Sequence, residues 1–301
     1  MNRIPNLYKK AHVFRCVHDA HRNFKAEMSP FYILQEKKCY PDGCVYFNWK
    51  CRLLAKQKTC FRGFSHVGKE CSNCKYFYEE KRHQFPEFIE NGETAADFMN
   101  DYIAFEEGVA ELKIKRVICE GSVAGVTPGL TLQQQGNHYH LMSHGFLVRF
   151  DEGYIDNCLF IDPFYLSLSS MTQNKLLLRG GDNLEFLAQL IIDRGRFKFI
   201  KAGRFQFFER GSGKPMRNSD VQVGLKTYTI QENQPSKCMG CADGVLVDIN
   251  RLKRGPSRAT VCLQGIVDYR YCISATTLPK AGPIETCVNT QWGKHNCHLV
   301  L

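Results

Sequence analysis

Apolar positions recur at helical spacing along residues 94–112. Phe98, Tyr102, Phe105, Val109 and Leu112 step by four, three, four and three, and so share one face. Thr94 stands where an N-cap belongs, with Asp97 three residues on, close to a capping box. Asp97, Asp101, Glu106, Glu107 and Glu111 make the other side acidic and place charge in the early turns, where the helix dipole favours it. The pattern predicts an amphipathic connector helix over 94–112, with a solvated outer face.

From Lys113 to about Glu209 the period changes to two, with β-branched and aromatic residues on alternate positions. This predicts strands at Ile114–Val126, Leu141–Phe150, Phe164–Ser169, Leu184–Ile192 and Arg196–Phe208, the last broken near Ala202-Gly203. A polar spacer, Ser170–Lys175, separates the third strand from the fourth, and Thr127–Tyr139 reads as a long loop after the first. Asp151-Glu152-Gly153 and Arg179-Gly180-Gly181-Asp182 supply turns, and Asp193-Arg194-Gly195 a tight hairpin. Five antiparallel strands in about 100 residues, the first long and the last bent, fit an OB-like barrel. A β-sandwich fragment or an SH3-like barrel fits the same strand count, and no internal repeat signals a solenoid.

The flanks differ from this sheet. Residues 1–90 form a basic, cysteine-rich stretch studded with aromatics but without a sustained period, and with too little aliphatic content for a core of its own. Residues 212–236 are polar and turn-rich, and 237–301 return to cysteines. The fold class expected is a β-rich α+β chain: a metal module over 1–90, the connector helix over 94–112, an OB-like five-stranded barrel over 113–210, and a second small cysteine-rich metal module over 212–301.

Composition sharpens this reading at two points. A hydrophobic content of 44% with 23% charged residues excludes wholesale disorder. No apolar run approaches the roughly 18 residues that cross a bilayer. The start, Met1-Asn2-Arg3-Ile4-Pro5, lacks the apolar stretch of a secretory signal, and Cys297 falls one position too early for a prenylation box. A cytoplasmic protein with no membrane partner is expected. Fifteen cysteines, an odd number, then point to a reducing compartment in which dense cysteine means metal rather than disulfide. The net charge of +10 is also localised: residues 1–75 hold fifteen Lys/Arg against five Asp/Glu, and the remainder is balanced. Such a segment attracts polyanions.

Two cysteine sets carry metal-ligand spacing. One is Cys51, Cys60 and Cys71-Ser72-Asn73-Cys74; the other is Cys238-Met239-Gly240-Cys241 with Cys262 and Cys272. A CxxC knuckle brings two thiolates to one metal, and a second pair closes a tetrahedral site. Zinc is the first choice for both. Because Cys39 and Cys44 are also at hand near the first set, an iron–sulfur cluster is the alternative there. His12, Cys16, His18 and His21 form a looser group in which His18 and His21, at i,i+3 on a possible helix, could make half a metal site. The segment is basic and near the terminus, however, and a mobile stretch without a ligand role is the expectation. His138, His140 and His144 read as surface histidines, and Cys119, Cys158 and Cys287 as buried free thiols. A thioredoxin-type role for either CxxC lacks the strand-to-helix context that lowers a thiol pKa.

In the last strand, Arg194, Arg196, Lys198, Lys201 and Arg204 interleave with Phe197, Phe199, Phe205, Phe207 and Phe208. Alternation places Arg196 and Lys198 opposite Phe197 and Phe199, a cationic stripe able to follow a phosphate backbone. An ordinary strand, apolar inward and basic outward, gives the same pattern, so the stripe counts only together with the basic N-terminal stretch. No P-loop, nucleophile elbow, HExxH, dinucleotide turn or deaminase signature occurs. The resulting expectation is a non-catalytic binder of single-stranded DNA or RNA with structural metal. Its rivals are an iron–sulfur redox or assembly protein that uses the β-domain to dock a protein partner, and an adaptor with structural zinc alone.

Overall fold

The computed structural model describes residues 3–18, 21, 27–89, 94–135, 138–231, 238, 241, 243–250 and 257–272. The chain divides into two compact units, Leu7–Phe105 and Met1–Asn6 with Glu106–Leu301. Strand β1 (Arg3–Ile4) belongs to the second.

In the Leu7–Phe105 unit, β2 (Phe14–Arg15) and β3 (Glu27–Met28) are followed by β4 (Cys44–Cys51), β5 (Phe77–Gln84) and β6 (Glu87–Phe88). β2 pairs with β3 and β6, while β4 and β5 make an antiparallel ribbon in register from Cys44↔Gln84 to Cys51↔Phe77. Helix α1 (Ala95–Ile114) starts in this unit and runs on into the next. Its N-terminus carries the anticipated reciprocal cap: the Asp97 N–H donates to Thr94 Oγ1 at 3.2 Å, and the Thr94 N–H to Asp97 Oδ2 at 3.4 Å. Phe98, Tyr102 and Val109 are buried on the predicted face.

Aromatic rings take the place of missing aliphatic side chains here. Tyr8, Phe14, Phe88, Phe98 and Tyr102 meet edge-on or tilted at centroid separations of 5.8 to 6.0 Å. On the ribbon, Val45, Phe47 and Trp49 remain exposed along one side of β4.

The second unit is dominated by one sheet. Along the chain run β7 (Arg116–Gln135), β8 (His138–Ile155), β9 (Cys158–Phe160), β10 (Phe164–Leu168), α2 (Ser170–Leu176), β11 (Asn183–Asp193) and β12 (Arg196–Glu209). Then follow α3 (Asn218–Thr227), β13 (Thr229–Gln231), β14 (Gly244–Asn250) and β15 (Ser257–Cys262). Five strands pair in a ring, β7-β8-β10-β12-β11 and back to β7. Phe150, Phe164, Phe186, Phe197 and Phe199 fill its inner face, with Phe150 and Phe164 stacked at 4.8 Å.

Five sequence expectations change. Asp151-Glu152-Gly153 is not a turn but lies within β8, with Gly153 paired to Gly121 of β7. The ring is not wholly antiparallel, because β10 and β12 run parallel; α2 and β11 supply the long connection such a pair requires. The Ser170–Lys175 spacer is helix α2, capped by Ser169 Oγ accepting the Thr172 N–H at 3.1 Å. The 212–236 stretch contains α3, a short polar helix that buries little besides Val221. Thr127–Tyr139 is not a loop: β7 and β8 stay paired out to Gln135↔His138, and β14 joins this arm in parallel at Asp248↔Thr131. The hairpin at Asp193–Arg196 is as tight as expected. Arg194 and Gly195 both take positive φ, at 53° and 78°, as a two-residue primed turn requires. Among the described residues no helix is long and apolar enough to cross a membrane.

Candidate metal centres

Three groups of thiols emerge. The first draws on loops that sequence periodicity does not connect: Cys16 after β2, His21 in a tight turn, Cys39 after the helical segment Phe31–Glu36, and Cys44 opening β4. The ligand atoms of Cys16, His21 and Cys44 all lie within 4.8 Å of one another, so this group is able to hold a metal ion. Nε2 of His21 is 3.0 Å from the Cys44 sulfur and 3.7 Å from that of Cys39. On its far side, Nδ1 is 3.1 Å from the Tyr32 hydroxyl.

Burial governs the electrostatics of this group. It lowers the pKa of His21, helped by His18 and Lys37, so the imidazole is neutral and suited to ligation. Burial and the neighbouring Cys44 thiol push Cys39 up to about 12, and burial lifts Cys16 as well. Tyr32, buried and facing Glu36 and these thiols, is pushed up to about 12 and keeps its proton. Thiols crowded together in this way ionise readily only when a cation supplies the opposing charge. His18 does not join the ligand atoms; its ring lies edge-on to that of His21 at 6.2 Å. The i,i+3 pairing expected of these two histidines gives way to a turn in which the His21 N–H donates to the His18 carbonyl.

The second group is the first set read from the sequence. Cys51 closes β4, and Cys60, Cys71 and Cys74 follow on turns; all four line one cavity, with His66 and Arg62 at its wall. The Cys74 N–H donates to the Cys71 carbonyl at 2.9 Å, which forms the CxxC knuckle. The Cys60 sulfur accepts the Arg62 N–H at 3.4 Å. Backbone N–H groups of Arg62 and Phe64 hold the Cys60 thiol below its ordinary pKa, and so favour the ligand form.

The third group is the second predicted set. Cys238, Cys241, Cys262 and Cys272 line one cavity beneath the β14–β15 hairpin. The Cys241 N–H reaches the Cys238 carbonyl and the Gly244 N–H the Cys241 carbonyl, each at 3.2 Å. A Cβ on Gly244 would sit 1.9 Å from the Cys238 carbonyl oxygen, so only glycine lets the knuckle close on the strand. Burial and the three other thiols raise the Cys238 pKa. Lys237, Met239 and Gly240 of this knuckle, and Cys287, lie outside the described residues.

The chain matches no family model, no curated protein and no solved structure. Its chemistry is therefore read from its own side chains. Of thirteen described cysteines, none in a disulfide, eleven fall in the three groups; Cys158, expected to be buried, is half-buried. Cys119 is fully buried and its thiol stays well above the ordinary pKa through burial, as a small core residue does.

The basic residues of β12 are placed unevenly. Arg194 is engaged by Asp248, and Arg196 by Asp193 at 2.7 Å. Lys198 lies on the outer face. Lys201 and Arg204 are exposed at two bulges, with φ of 53° and 54°, which interrupt the alternation after Ile200. Sequence reasoning missed their outward neighbours. Arg149 on β8 pairs with Tyr165 on β10, which pairs with Lys198 on β12, and the Arg196 guanidinium lies 5.3 Å from the Tyr165 ring centroid. The signal was available in the alternation of each strand, but the strand order that aligns them was not. His138, His140 and His144 are exposed on β8, as expected of surface histidines.

Proposed function

We propose that this chain is a non-catalytic binder of single-stranded DNA or RNA, built on an OB-like barrel over 113–210 and braced by structural zinc. The observation that carries the reading is the ring order. Counting β7, β8, β10, β11 and β12 as strands one to five, neighbours run one-two-three-five-four-one, with helix α2 between strands three and four. An OB fold is a five-stranded Greek-key barrel whose ligands lie across strands two and three, and this order supports the OB-like reading.

The outer row Arg149–Tyr165–Lys198 runs from strands two and three onto strand five, with Arg196 beside it. Arg149 and Arg196, ion-paired with Asp151 at 2.6 Å and Asp193 at 2.7 Å, would exchange those pairs for phosphate. Cations that track phosphates next to a ring that stacks a base are the chemistry of sequence-tolerant single-strand binding, in which each stacked base is worth about 1–3 kcal/mol. Lys201 and Arg204 extend the cationic surface, whereas Arg194 serves the fold through Asp248. In the other unit, exposed Phe47 and Trp49 stand opposite Lys81 and Glu79 across the ribbon, and both aromatics lie within the 1–75 segment that holds the chain's net positive excess. The all-thiolate sets Cys51/Cys60/Cys71/Cys74 and Cys238/Cys241/Cys262/Cys272 suit closed tetrahedral zinc and leave no position open for substrate.

The test is a titration of the purified full chain with fluorescent single-stranded DNA, RNA and duplex DNA, with heparin as competitor, at low and moderate salt. Preference for single strands over duplex, surviving an equal charge concentration of heparin, is expected. Equal displacement by heparin, or no binding at low salt, overturns the reading.

A further inference from the structure

We infer that Cys16, His21, Cys39 and Cys44 form a third, closed zinc centre of the Cys3His type, separate from the two four-cysteine sets. The inference does not depend on nucleic-acid binding. A tetrahedral zinc with Zn–S near 2.3 Å and Zn–N near 2.1 Å sets sulfur and nitrogen about 3.5 Å apart, and two sulfurs about 3.8 Å apart. The separations of His21 Nε2 from the sulfurs of Cys44 and Cys39, 3.0 and 3.7 Å, bracket the first of these values. The sulfurs of Cys16 and Cys44 lie within 4.8 Å of each other, so at most about 1 Å of closure brings them to the second. Cys39, outside the set whose atoms all lie within 4.8 Å of one another, supplies the fourth ligand from 3.7 Å beside His21 Nε2.

The remaining lone pair and proton of the imidazole are accounted for as well. With Nε2 given to the metal, Nδ1–H donates to the Tyr32 hydroxyl, which fixes tautomer and ring orientation as an outer partner of a ligating histidine does. Four protein ligands leave no open position, so the centre is structural. It also shares a strand with its neighbour: Cys44 is the first residue of β4 and Cys51, a member of the second group, is the last. One strand is thereby pinned at both ends, with Val45, Phe47 and Trp49 exposed between the pins.

Two measurements on the full chain test this. Native mass spectrometry of zinc-loaded protein should count three zinc ions. The count should drop to two in Cys39→Ser, and stay at three in His21→Cys, which keeps a four-ligand set. In wild-type protein, thiol alkylation mapped by peptide mass should show Cys16, Cys39 and Cys44 becoming reactive together when a chelator is added; this readout does not require any variant to fold. An unchanged zinc count in Cys39→Ser, or alkylation of these three cysteines that ignores the chelator, overturns the inference.

Discussion

The Tyr32 hydroxyl sits 3.1 Å from Nδ1 of His21, a buried contact that leaves Nε2 as the nitrogen facing the thiols of Cys39 and Cys44. Removing the hydroxyl while keeping the ring should loosen the imidazole without deleting a ligand. Tyr32→Phe is expected to weaken metal retention at this centre roughly tenfold, the lower end of the range for outer partners of metal-bound histidine. Chelator competition reads this directly, with the zinc count of the saturated protein unchanged.

Phe98 is fully buried among Phe14, Phe88 and Tyr102. Phe98→Asp places an unpaired charge in that aromatic cluster and should cost several kcal/mol, roughly 3 or more, in denaturant unfolding. Glu111→Gln, on the exposed side of α1, should change stability by less than about 0.5 kcal/mol. Thr94→Ala, which breaks the cap, should fall between them at about 1 kcal/mol.

Gly244 tests the third thiol group without touching a cysteine. Because an added Cβ would run into the Cys238 carbonyl, Gly244→Ala should open the knuckle. The expected outcome is loss of one bound metal ion by elemental analysis while the circular-dichroism signature of the ring is retained. Full metal content in this variant would mean that the knuckle tolerates the displacement.

These tests divide along the line between what the chain displays locally and what only folding assembles. The ring strands were legible because inward phenylalanines alternate with polar residues over long stretches, and the two CxxC sets because a knuckle is a four-residue signature. The first thiol group was legible only in part: Cys16 and His21 stood in one looser group, but Cys39, 18 positions beyond His21, and Cys44 were read beside the Cys51 set. The parallel pairing of β10 with β12 was hidden, because alternation reports a strand's faces and never its neighbour. Glutamines 133 to 135 suggested a loop, yet cross-strand pairing carries them into the hairpin arm.

Asp248 links the turn of the ring to the β14–β15 hairpin by accepting from Arg194 and from Arg258, the latter at 3.0 Å. Burial alone would raise its pKa, but hydrogen bonding and charge from Arg194, with Arg258, outweigh burial and hold the carboxyl below its ordinary value. The stabilisation is therefore present above the unfolded carboxylate pKa of about 3.9. It is lost as the pH falls through the lower folded value. At neutral pH Asp248→Ala should cost about 1 kcal/mol after allowance for solvent screening of these partly exposed groups. Urea titrations across the pH range should show the gap to wild type narrowing on acidification below that carboxylate value.

The central claim rests on the outward row across β8, β10 and β12, and salt dependence of binding tests it most directly. Affinity for a single-stranded oligonucleotide should fall linearly with salt on logarithmic axes, because each neutralised phosphate releases counterions. Arg149→Ala with Lys198→Ala should reduce that slope by about 1.4, near 0.7 for each contact removed. Tyr165→Leu should weaken binding while leaving the slope alone, since it removes stacking and no charge. A slope and affinity unaltered in all of these variants, in protein whose metal content and fold are intact, would contradict the account.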